Sequence, residues 1–472
     1  MSTLEALLLA VGAMATPAVA AEFDEWFTGA TIRVDYAHVG TAAEEHFALE
    51  RVRVEGPWPG SRTRTIDTTN LGRYLVELVD LESNRVLYTR GFASIFGEWE
   101  STSAARSGVW RSIAEAVRVP EPKRPFQLRI RKRDAGLGFA EVWQTTIDPS
   151  SRFVDRVPPA DHAHRVLLDH GDPAIKVDLV VLGDGYTAGE IERFRDDAAA
   201  AAAALFAEEP FAARTSSFNV RIVETPARAS GITRPRAGVF RDSPLGARYD
   251  TFDSERYVLT LDDRAWRDRA AVVPYDFVLI LVNERQYGGG GIHGRYSTAA
   301  AGSSYADYLV VHEFGHHFAG LGDEYYTSDV AYESTDGPLV EPWEPNVTAQ
   351  FDPARLKWGE LVTEGTALPT PWVKQAYEQQ SLDLQQRRRE LRARGAPEEE
   401  LERLFDEERE RLTDLLRADP NAGIVGAFEG AMYRPNGLYR PAVDCIMFTR
   451  DRVGFCPVCR RAIERVIEMY DR

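Results

Sequence analysis

The sequence contains few cysteines and few long apolar segments. Its only cysteines are Cys445, Cys456 and Cys459, so an exported chain would pair two of them and leave one thiol over. We expect one disulfide, although the spacing does not say which two residues form it. The same three thiolates would need a fourth ligand nearby to hold a structural zinc ion. Beyond the N-terminus, no apolar run is long enough to span a bilayer, so we expect no integral membrane contact.

Positive charge is also scarce. The chain carries 73 acidic residues against 56 basic ones, which gives a net charge of -17. Because binding to a phosphate backbone requires a basic surface, this balance excludes nucleic acid as the main partner. The composition, 44% hydrophobic and 27% charged over 472 residues, is typical of a globular protein with two or three domains.

Residues 1–20 have the pattern of a signal peptide. An apolar run covers residues 7–15, and small residues at 18–20 precede the expected cleavage point. Glu5 departs from the pattern, because a basic residue is usual in that region. We predict export to the periplasm or the extracellular space; the alternatives are a misassigned start codon and a loose helical tail.

Residues 22–150 are predicted to form a β-sandwich accessory domain. Segments rich in β-branched and aromatic residues alternate there with turn sequences, and a small sandwich of two sheets is the fold that such strands favour. The predicted strands cover residues 30–39, 46–54, 73–79, 85–90, 126–132 and 141–147.

Residues 165–472 change to strands that alternate with helices, which predicts an α/β layer. Apolar strands are expected at 179–182, 218–224 and 276–283, and Thr187 with Glu190 forms a capping box at the start of a helix.

Residues 373–417 are dense in charge and are broken at Gly395, which predicts an inserted αα-hairpin. We interpret this hairpin as a solvated decoration, with a lid or a substrate exosite as the alternative.

The chemistry is concentrated in SSYADYLVVHEFGHHFAGLGDEYY, from Ser303 to Tyr326. Its apolar residues recur at helical spacing, so His312 and His316 share one helix face and can direct two imidazoles at one metal ion. Beside them, Glu313 can accept a proton from a zinc-activated water that attacks a carbonyl, and can pass it to the leaving amine. The alternative is a core helix whose histidines are merely hydrogen-bonded.

A catalytic zinc requires a third protein ligand and one open position. Gly320 can turn the chain back towards the metal, and Asp323 follows three residues later, so Asp323 is the predicted third ligand and Glu324 its rival. His317 is rotated by about 100° from His316 and is expected to face elsewhere. Metzincins place a histidine after H-E-x-x-H-x-x-G-x-x, whereas here an acid stands in that role.

Other residues are candidates for the surroundings of the metal. Met447, in VDCIMF, would form a Met-turn beneath it, against the alternative of a plain core methionine. Gly289, in a run of four glycines, would let a substrate backbone approach closely, against the alternative of a flexible loop. Tyr433 and Tyr439 are candidate donors to the oxyanion of a tetrahedral intermediate, against packing or positioning roles.

Several segments together resemble the IgA-peptidase family of bacterial zinc metallopeptidases. They occur in the same order between Lys176 and Ile463, interrupted by the charged hairpin: VLGDGYTAGEIERF, ILVNERQYGGGGI, HEFGHHFAGLGDEYY, EPNVT, GAFEGAMYRPNGLYRPAVDCIMF and FCPVCRRAI. The resemblance implies a metzincin-like zincin catalytic domain with one catalytic Zn2+. The residues that it implies are the metal ligands His312, His316 and Asp323, the general base Glu313 and the Met-turn residue Met447.

We therefore expect a mixed α+β or α/β chain that acts as a secreted zinc metalloendopeptidase on a protein or peptide substrate. Two alternatives remain open: an inactive zinc-containing surface adhesin or binding protein, and a zinc hydrolase of a non-peptide substrate. Specificity lies in loops and accessory domains, so the resemblance does not make IgA the substrate. The sequence does not indicate the oligomeric state.

Overall fold

The computed structural model describes residues 23–327, 339–349, 352–451 and 453–471. The signal peptide predicted for residues 1–20 lies outside this range. Over the described ranges the chain is a mixture of α-helices and β-sheets. No helix in them combines the length and the apolar character needed to cross a bilayer.

The N-terminal part consists of strands and short helices. The helices are α1 (Phe23–Trp26), α2 (Ile95–Glu100) and α3 (Ser103–Arg106). The strands are β1 (Phe27–Gly40), β2 (Glu45–Pro57), β3 (Tyr74–Asp80), β4 (Val86–Phe92), β5 (Arg111–Pro122), β6 (Phe126–Arg133), β7 (Phe139–Ile147) and β8 (Val154–Asp155). They form two four-stranded sheets, with the orders β5-β1-β2-β8 and β4-β3-β6-β7.

Side chains from both of these sheets share one buried cluster. In β6 burial alternates along the strand, so Leu128 and Ile130 face the cluster while Arg129 between them faces outward. Ile32 and Val34 of β1 enter the same cluster from the other sheet. The six predicted strands are therefore confirmed. The pattern did not reveal β5, whose apolar residues are interrupted by charged ones and which ends in prolines at the edge of its sheet.

The C-terminal part contains longer helices and a six-stranded sheet. Its helices are α4 (Ile191–Phe206), α5 (Asp263–Ala270), α6 (Ala306–Ala319), α7 (Lys374–Ala393), α8 (Glu398–Arg417) and α9 (Pro457–Ile467). Its strands are β9 (His164–Leu168), β10 (Val177–Asp184), β11 (Phe218–Val223), β12 (Ala247–Arg248), β13 (Leu259–Thr260), β14 (Phe277–Val282), β15 (Gly289–Ile292), β16 (Tyr296–Ala300), β17 (Phe428–Ala431) and β18 (Arg434–Arg440).

The order of the large sheet is β15-β16-β14-β10-β11-β9. Its four inner strands run parallel, and both edge strands, β15 and β9, run antiparallel to their neighbours. The central strand β10 is buried along its whole length, as its continuous apolar run predicted. The predicted capping box is also present, because Glu190 accepts hydrogen bonds from the backbone N–H and the hydroxyl of Thr187.

The two parts are joined by buried polar contacts. Arg295, between β15 and β16, lies 2.9 Å from a carboxylate oxygen of Glu115 in β5. The backbone N–H of Ala93 donates to the carbonyl of His293 over 2.8 Å. Because these contacts hold the two parts together, side chains from both parts can line one cleft.

The predicted helical hairpin is present as α7 and α8. It is more than a solvated decoration, because the apolar face of α8 packs against the body of the protein. The Phe405 ring lies 5.3 Å from that of Tyr287 and 5.8 Å from that of Tyr305. An ion pair of 2.7 Å between Arg450 and Glu408 fixes the same face.

Candidate active site

Helix α6 carries the predicted metal-binding motif and ends as the sequence indicated. Gly320 has a φ of 59°, a left-handed conformation that favours glycine, and its N–H donates to the carbonyl of His316 over 3.0 Å. This cap reverses the chain direction directly after the helix. Asp323 consequently returns to the face of α6 that presents His312 and His316.

The three predicted ligands converge on one point. The Nε2 atoms of His312 and His316 lie 3.1 Å apart, and Asp323 Oδ1 lies 3.3 and 3.2 Å from them. Ligands bound at about 2.0–2.1 Å to a tetrahedral zinc ion stand about 3.3–3.4 Å from one another. The spacing of these three atoms therefore fits a single zinc ion in their midst.

Hydrogen bonds fix which nitrogen of each imidazole is free. His312 Nδ1 lies 2.9 Å from the carbonyl of Ile446, and His316 Nδ1 contacts the carbonyl of Leu321. A carbonyl oxygen can only accept, so each Nδ1 carries the proton and each Nε2 presents a lone pair to the common point. Such carbonyl partners orient metal-binding histidines and raise their basicity.

Asp323 supplies the third candidate metal-ligating atom. Its Oδ2 accepts a hydrogen bond from the hydroxyl of Tyr433, whereas its buried Oδ1 receives none within the described part of the chain. Burial acts to raise the pKa of Asp323, but the charge and hydrogen bonds of His316 and His312 in their protonated form, where a proton stands in for a metal ion, hold it well below its usual range. A carboxylate facing two imidazole lone pairs is an arrangement that a cation would stabilise.

Glu313 projects into the cleft beside these ligands. Burial raises its pKa above the usual value, and His312 and His316 oppose that shift when they are protonated. A carboxyl group whose proton affinity is raised can take a proton from water more readily. The position of Glu313 is thus compatible with the predicted role of general base.

Glu324, the rival third ligand, faces a different cluster. Its Oε1 accepts a hydrogen bond of 2.9 Å from the Asn346 amide and lies 3.4 Å from Cys459 Sγ. Burial raises the pKa of Glu324 well above its usual value.

The expected disulfide is absent, because all three cysteines are free thiols and the Sγ atoms of Cys445 and Cys459 lie 3.9 Å apart.

Met447 lies beneath the metal-binding helix. It is fully buried, and its Sδ would lie 3.2 Å from a Cβ atom added at Gly315 of α6, so the two residues are in close contact. Its carbonyl accepts a hydrogen bond of 2.8 Å from the Glu324 N–H. The segment predicted to be a Met-turn therefore supports both the helix and the chain that follows Asp323.

His317, the other histidine of the motif, faces the sheet as expected. Its Nδ1 donates to the carbonyl of Ile292, and its Nε2 accepts from the N–H of Val278. Burial lowers its pKa to about 3, so it is neutral and serves packing.

The glycine run is an ordered edge strand. Gly289 begins β15, where its N–H donates to Arg256 and its carbonyl accepts from Val258, both over 3.0 Å. A Cβ atom at Gly289 would stand 3.2 Å from a carboxylate oxygen of Glu313, and one at Gly291 would stand 2.2 Å from the Glu313 carbonyl. The absence of side chains thus lets β15 lie directly on α6, and the flexible-loop alternative is wrong.

The two candidate tyrosines occupy different places. Tyr433 lines the cleft, and its hydroxyl contacts both Asp323 and the hydroxyl of Tyr325. It has a φ of 62°, which is strained for a tyrosine, in the tight turn between β17 and β18. Tyr439 is paired through its backbone with Thr348 and is not among the residues that line the cleft.

The sequence analysis did not identify Arg256, Tyr325 and Asn346. All three lie near the point where His312, His316 and Asp323 converge, which we call the metal point. Arg256 Nη2 donates to the Tyr325 hydroxyl over 3.2 Å, and both side chains line the cleft. Asn346 is fully buried and makes two hydrogen bonds to the backbone of Gly322, which hold the loop that carries Asp323. The only signal for Asn346 was its place in EPNVT, one of the segments that carried the resemblance.

The cleft around these residues has a volume of about 470 Å³. Three parts of the chain form its walls: Gly97 and Glu98 of the N-terminal part, the edge strand β15, and Gln385 and Glu408 of the helical hairpin. A cleft of this size accommodates a segment of polypeptide with several side chains.

Two models of known protein families match the chain. The family model described as IgA Peptidase M64 matches residues 166–467, which is more than half of the chain. The model described as Peptidase M64 N-terminus matches residues 22–144. Among curated proteins, no relative matches the chain.

Proposed function

This chain belongs to the IgA Peptidase M64 family, and we propose that it is a secreted zinc metalloendopeptidase. The observation that carries this proposal is the convergence of two imidazole nitrogens and one carboxylate oxygen within 3.1–3.3 Å of one another, beside a free glutamate in a cleft. The pattern of a signal peptide at residues 1–20 supports the secretion.

His312, His316 and Asp323 would hold the zinc ion. A zinc ion in such a site supplies Lewis acidity, which lowers the pKa of water towards neutrality and polarises a carbonyl group. Glu313 accepts the proton of the attacking water and then delivers it to the leaving amine. Peptide-bond hydrolysis follows from these roles without any covalent link between the chain and the substrate.

Tyr433 stabilises the oxyanion that forms during attack. Its hydroxyl lies next to the metal point, where it contacts Asp323, and it can donate to a developing negative charge. Arg256 supports the same side of the cleft through Tyr325. Tyr439, which does not line the cleft, has no part in this step.

The proposed domain organisation follows the sequence expectation. Residues 22–150 form a β-sandwich accessory domain, and residues 165–472 form a metzincin-like catalytic domain with Met447 in the Met-turn. The hairpin of residues 373–417 is inserted into this catalytic domain. It contributes a cleft wall and therefore contacts substrate side chains.

The proposal is tested with the Glu313→Gln variant of the mature chain. Zinc content should equal that of the wild type, and cleavage of denatured protein substrates should fall by about 10²–10⁴-fold, because the base is lost while the ligands remain. Glu344→Gln is the matched control, since Glu344 also lines the cleft but is not one of the three residues whose candidate ligand atoms converge. Cleavage that persists in Glu313→Gln would overturn the assigned base. Zinc binding without cleavage by the wild type of any substrate would instead favour a binding protein.

A further inference from the structure

A second cluster of metal-binding side chains lies behind the candidate active site. Cys456 immediately precedes α9, Cys459 lies in its first turn, and Cys445 belongs to the segment that leads to Met447. Glu324 joins these three cysteines from the loop that follows α6. All four residues are buried, and one potential ligand atom from each lies within 4.8 Å of the others.

The distances within this cluster suit a metal ion better than a disulfide. The Sγ atoms of Cys445 and Cys459 are 3.9 Å apart, whereas the atoms of a disulfide are about 2.05 Å apart. Thiolates bound at about 2.3 Å to a tetrahedral zinc ion stand about 3.8 Å from each other. The distance of 3.4 Å between Cys459 Sγ and Glu324 Oε1 is close to the separation of about 3.6 Å that mixed sulfur and oxygen ligands would have.

Two further features of this cluster favour cation binding. Glu324 Oε2 is buried and has no hydrogen-bond partner within the described ranges, although its companion Oε1 is bonded to Asn346. The backbone N–H of Cys456 donates to the sulfur of Cys445 over 3.3 Å, as expected where a sulfur carries negative charge. A buried carboxylate oxygen without a partner is costly, and a bound cation would remove that cost.

We propose that a second zinc ion, structural in role, is held by four side chains: Glu324, Cys445, Cys456 and Cys459. Thiolate-rich sets select zinc over magnesium or calcium. Four protein ligands in a buried site leave no open position for a substrate, which distinguishes a structural site from a catalytic one.

This ion would stabilise the chain segments that position the active-site residues. Glu324 directly follows the third ligand Asp323, and Cys445 directly precedes Ile446, whose carbonyl orients His312. Binding would thus tie the third-ligand loop, the Met447 segment and α9 to one point. The proposal does not depend on the peptidase activity, because it concerns a different set of residues.

The first experiment removes the catalytic ligands and retains the second site. The His312→Ala/His316→Ala variant of the full chain should keep about one zinc ion after dialysis, while the wild type keeps two. X-ray absorption of the variant should show sulfur neighbours at about 2.3 Å from the ion. A folded variant without zinc, or with zinc bound only to nitrogen and oxygen, would overturn the proposal. Wild-type zinc bound only through sulfur would instead contradict the catalytic site.

The second experiment examines the thiols directly. The mass of the non-reduced, denatured wild type should correspond to three free thiols, and all three should react with a thiol reagent once zinc is chelated. A mass lower by about 2 Da would reveal a disulfide and overturn the proposal.

Glu324→Gln introduced into the double-histidine variant should weaken zinc binding by at least about 10-fold, and unchanged affinity would exclude Glu324 as a ligand.

Discussion

Asp323 and Glu324 are consecutive in the chain, yet their carboxylates enter two different clusters. Asp323 faces His312 and His316, whereas Glu324 faces the cysteines. The backbone between them is fixed on both sides, because the Asp323 carbonyl accepts from the N–H of Met432 and the Glu324 N–H donates to Met447. An exchange of roles between the two acids would require both of these hydrogen bonds to break.

Asp323→Asn should weaken zinc binding at the active site by at least about 100-fold, because an amide carries no charge to balance the ion. Zinc titration against a competing chelator measures the change. Asp307→Asn serves as the control, since Asp307 is exposed in the first turn of the same helix. Equal zinc affinity in the Asp323 variant and the wild type would show that Asp323 is not a ligand.

Tyr433→Phe should lower kcat by about 10²–10³-fold with little change in KM, because only the transition state loses a hydrogen-bond donor. Steady-state kinetics on one peptide substrate separates the two constants. Tyr439→Phe should leave both nearly unchanged, since that residue lies outside the cleft. Zinc affinity must be measured in parallel, because Tyr433 also bonds to Asp323. Similar effects of the two substitutions would contradict the oxyanion role.

Gly291→Ala should separate β15 from α6. The added Cβ would lie 2.2 Å from the Glu313 carbonyl oxygen and 2.8 Å from His316 Cβ, so the strand or the helix must move. We expect the free energy of unfolding to fall by about 1–3 kcal/mol, with a larger loss of activity. Denaturant unfolding measures the first effect. Gly56→Ala is the control, because no atom lies within 4 Å of the added Cβ in β2. A stable, fully active Gly291 variant would show that the close packing is not required.

The stability of the chain should decrease as the pH rises past the pKa of His38. Its ring is stacked between Phe47 and Phe96, and its nitrogens lie 2.9 and 3.1 Å from Glu45 and Glu115. Burial acts to lower the pKa of His38, but the hydrogen bonds to Glu115 and Glu45 raise it above the usual 6.5. The folded state therefore binds this proton more tightly than the unfolded chain does. Its stabilising effect is complete below about pH 6.5 and is lost as the pH rises through the raised pKa.

The melting temperature measured across this pH range tests the prediction. His38→Gln should remove the decrease, because glutamine does not titrate. His46→Gln is the control, since His46 is an exposed histidine on the neighbouring strand β2. A wild-type melting temperature that rises over the same interval would contradict the assigned direction.

Local patterns predicted the helical and strand elements that depend on neighbouring residues. The spacing of His312 and His316 is a property of one helix, and Leu128 with Ile130 shows the alternation of one strand, so both could be recognised without a fold. The strand β15 could not, because its glycines have little strand propensity and adopt that structure only to pack on α6.

The sequence also could not predict which acid faces the histidines and which faces the cysteines. Asp323 and Glu324 have the same charge and adjacent positions, and only the hydrogen bonds of distant segments decide which one faces the histidines. The fourth member of the cysteine cluster lies 121 residues before Cys445 in the chain. The presence of three cysteines in a chain predicted to be exported therefore favoured a disulfide that the structure does not contain.

The hydrogen bond between His312 and Ile446 affects the order in which the candidate metal site is assembled. The two residues are 134 positions apart in the chain. During synthesis, helix α6 emerges before the carbonyl that orients the imidazole of His312. A nascent chain thus holds the candidate ligands without their support until the segment around Ile446 has been synthesised.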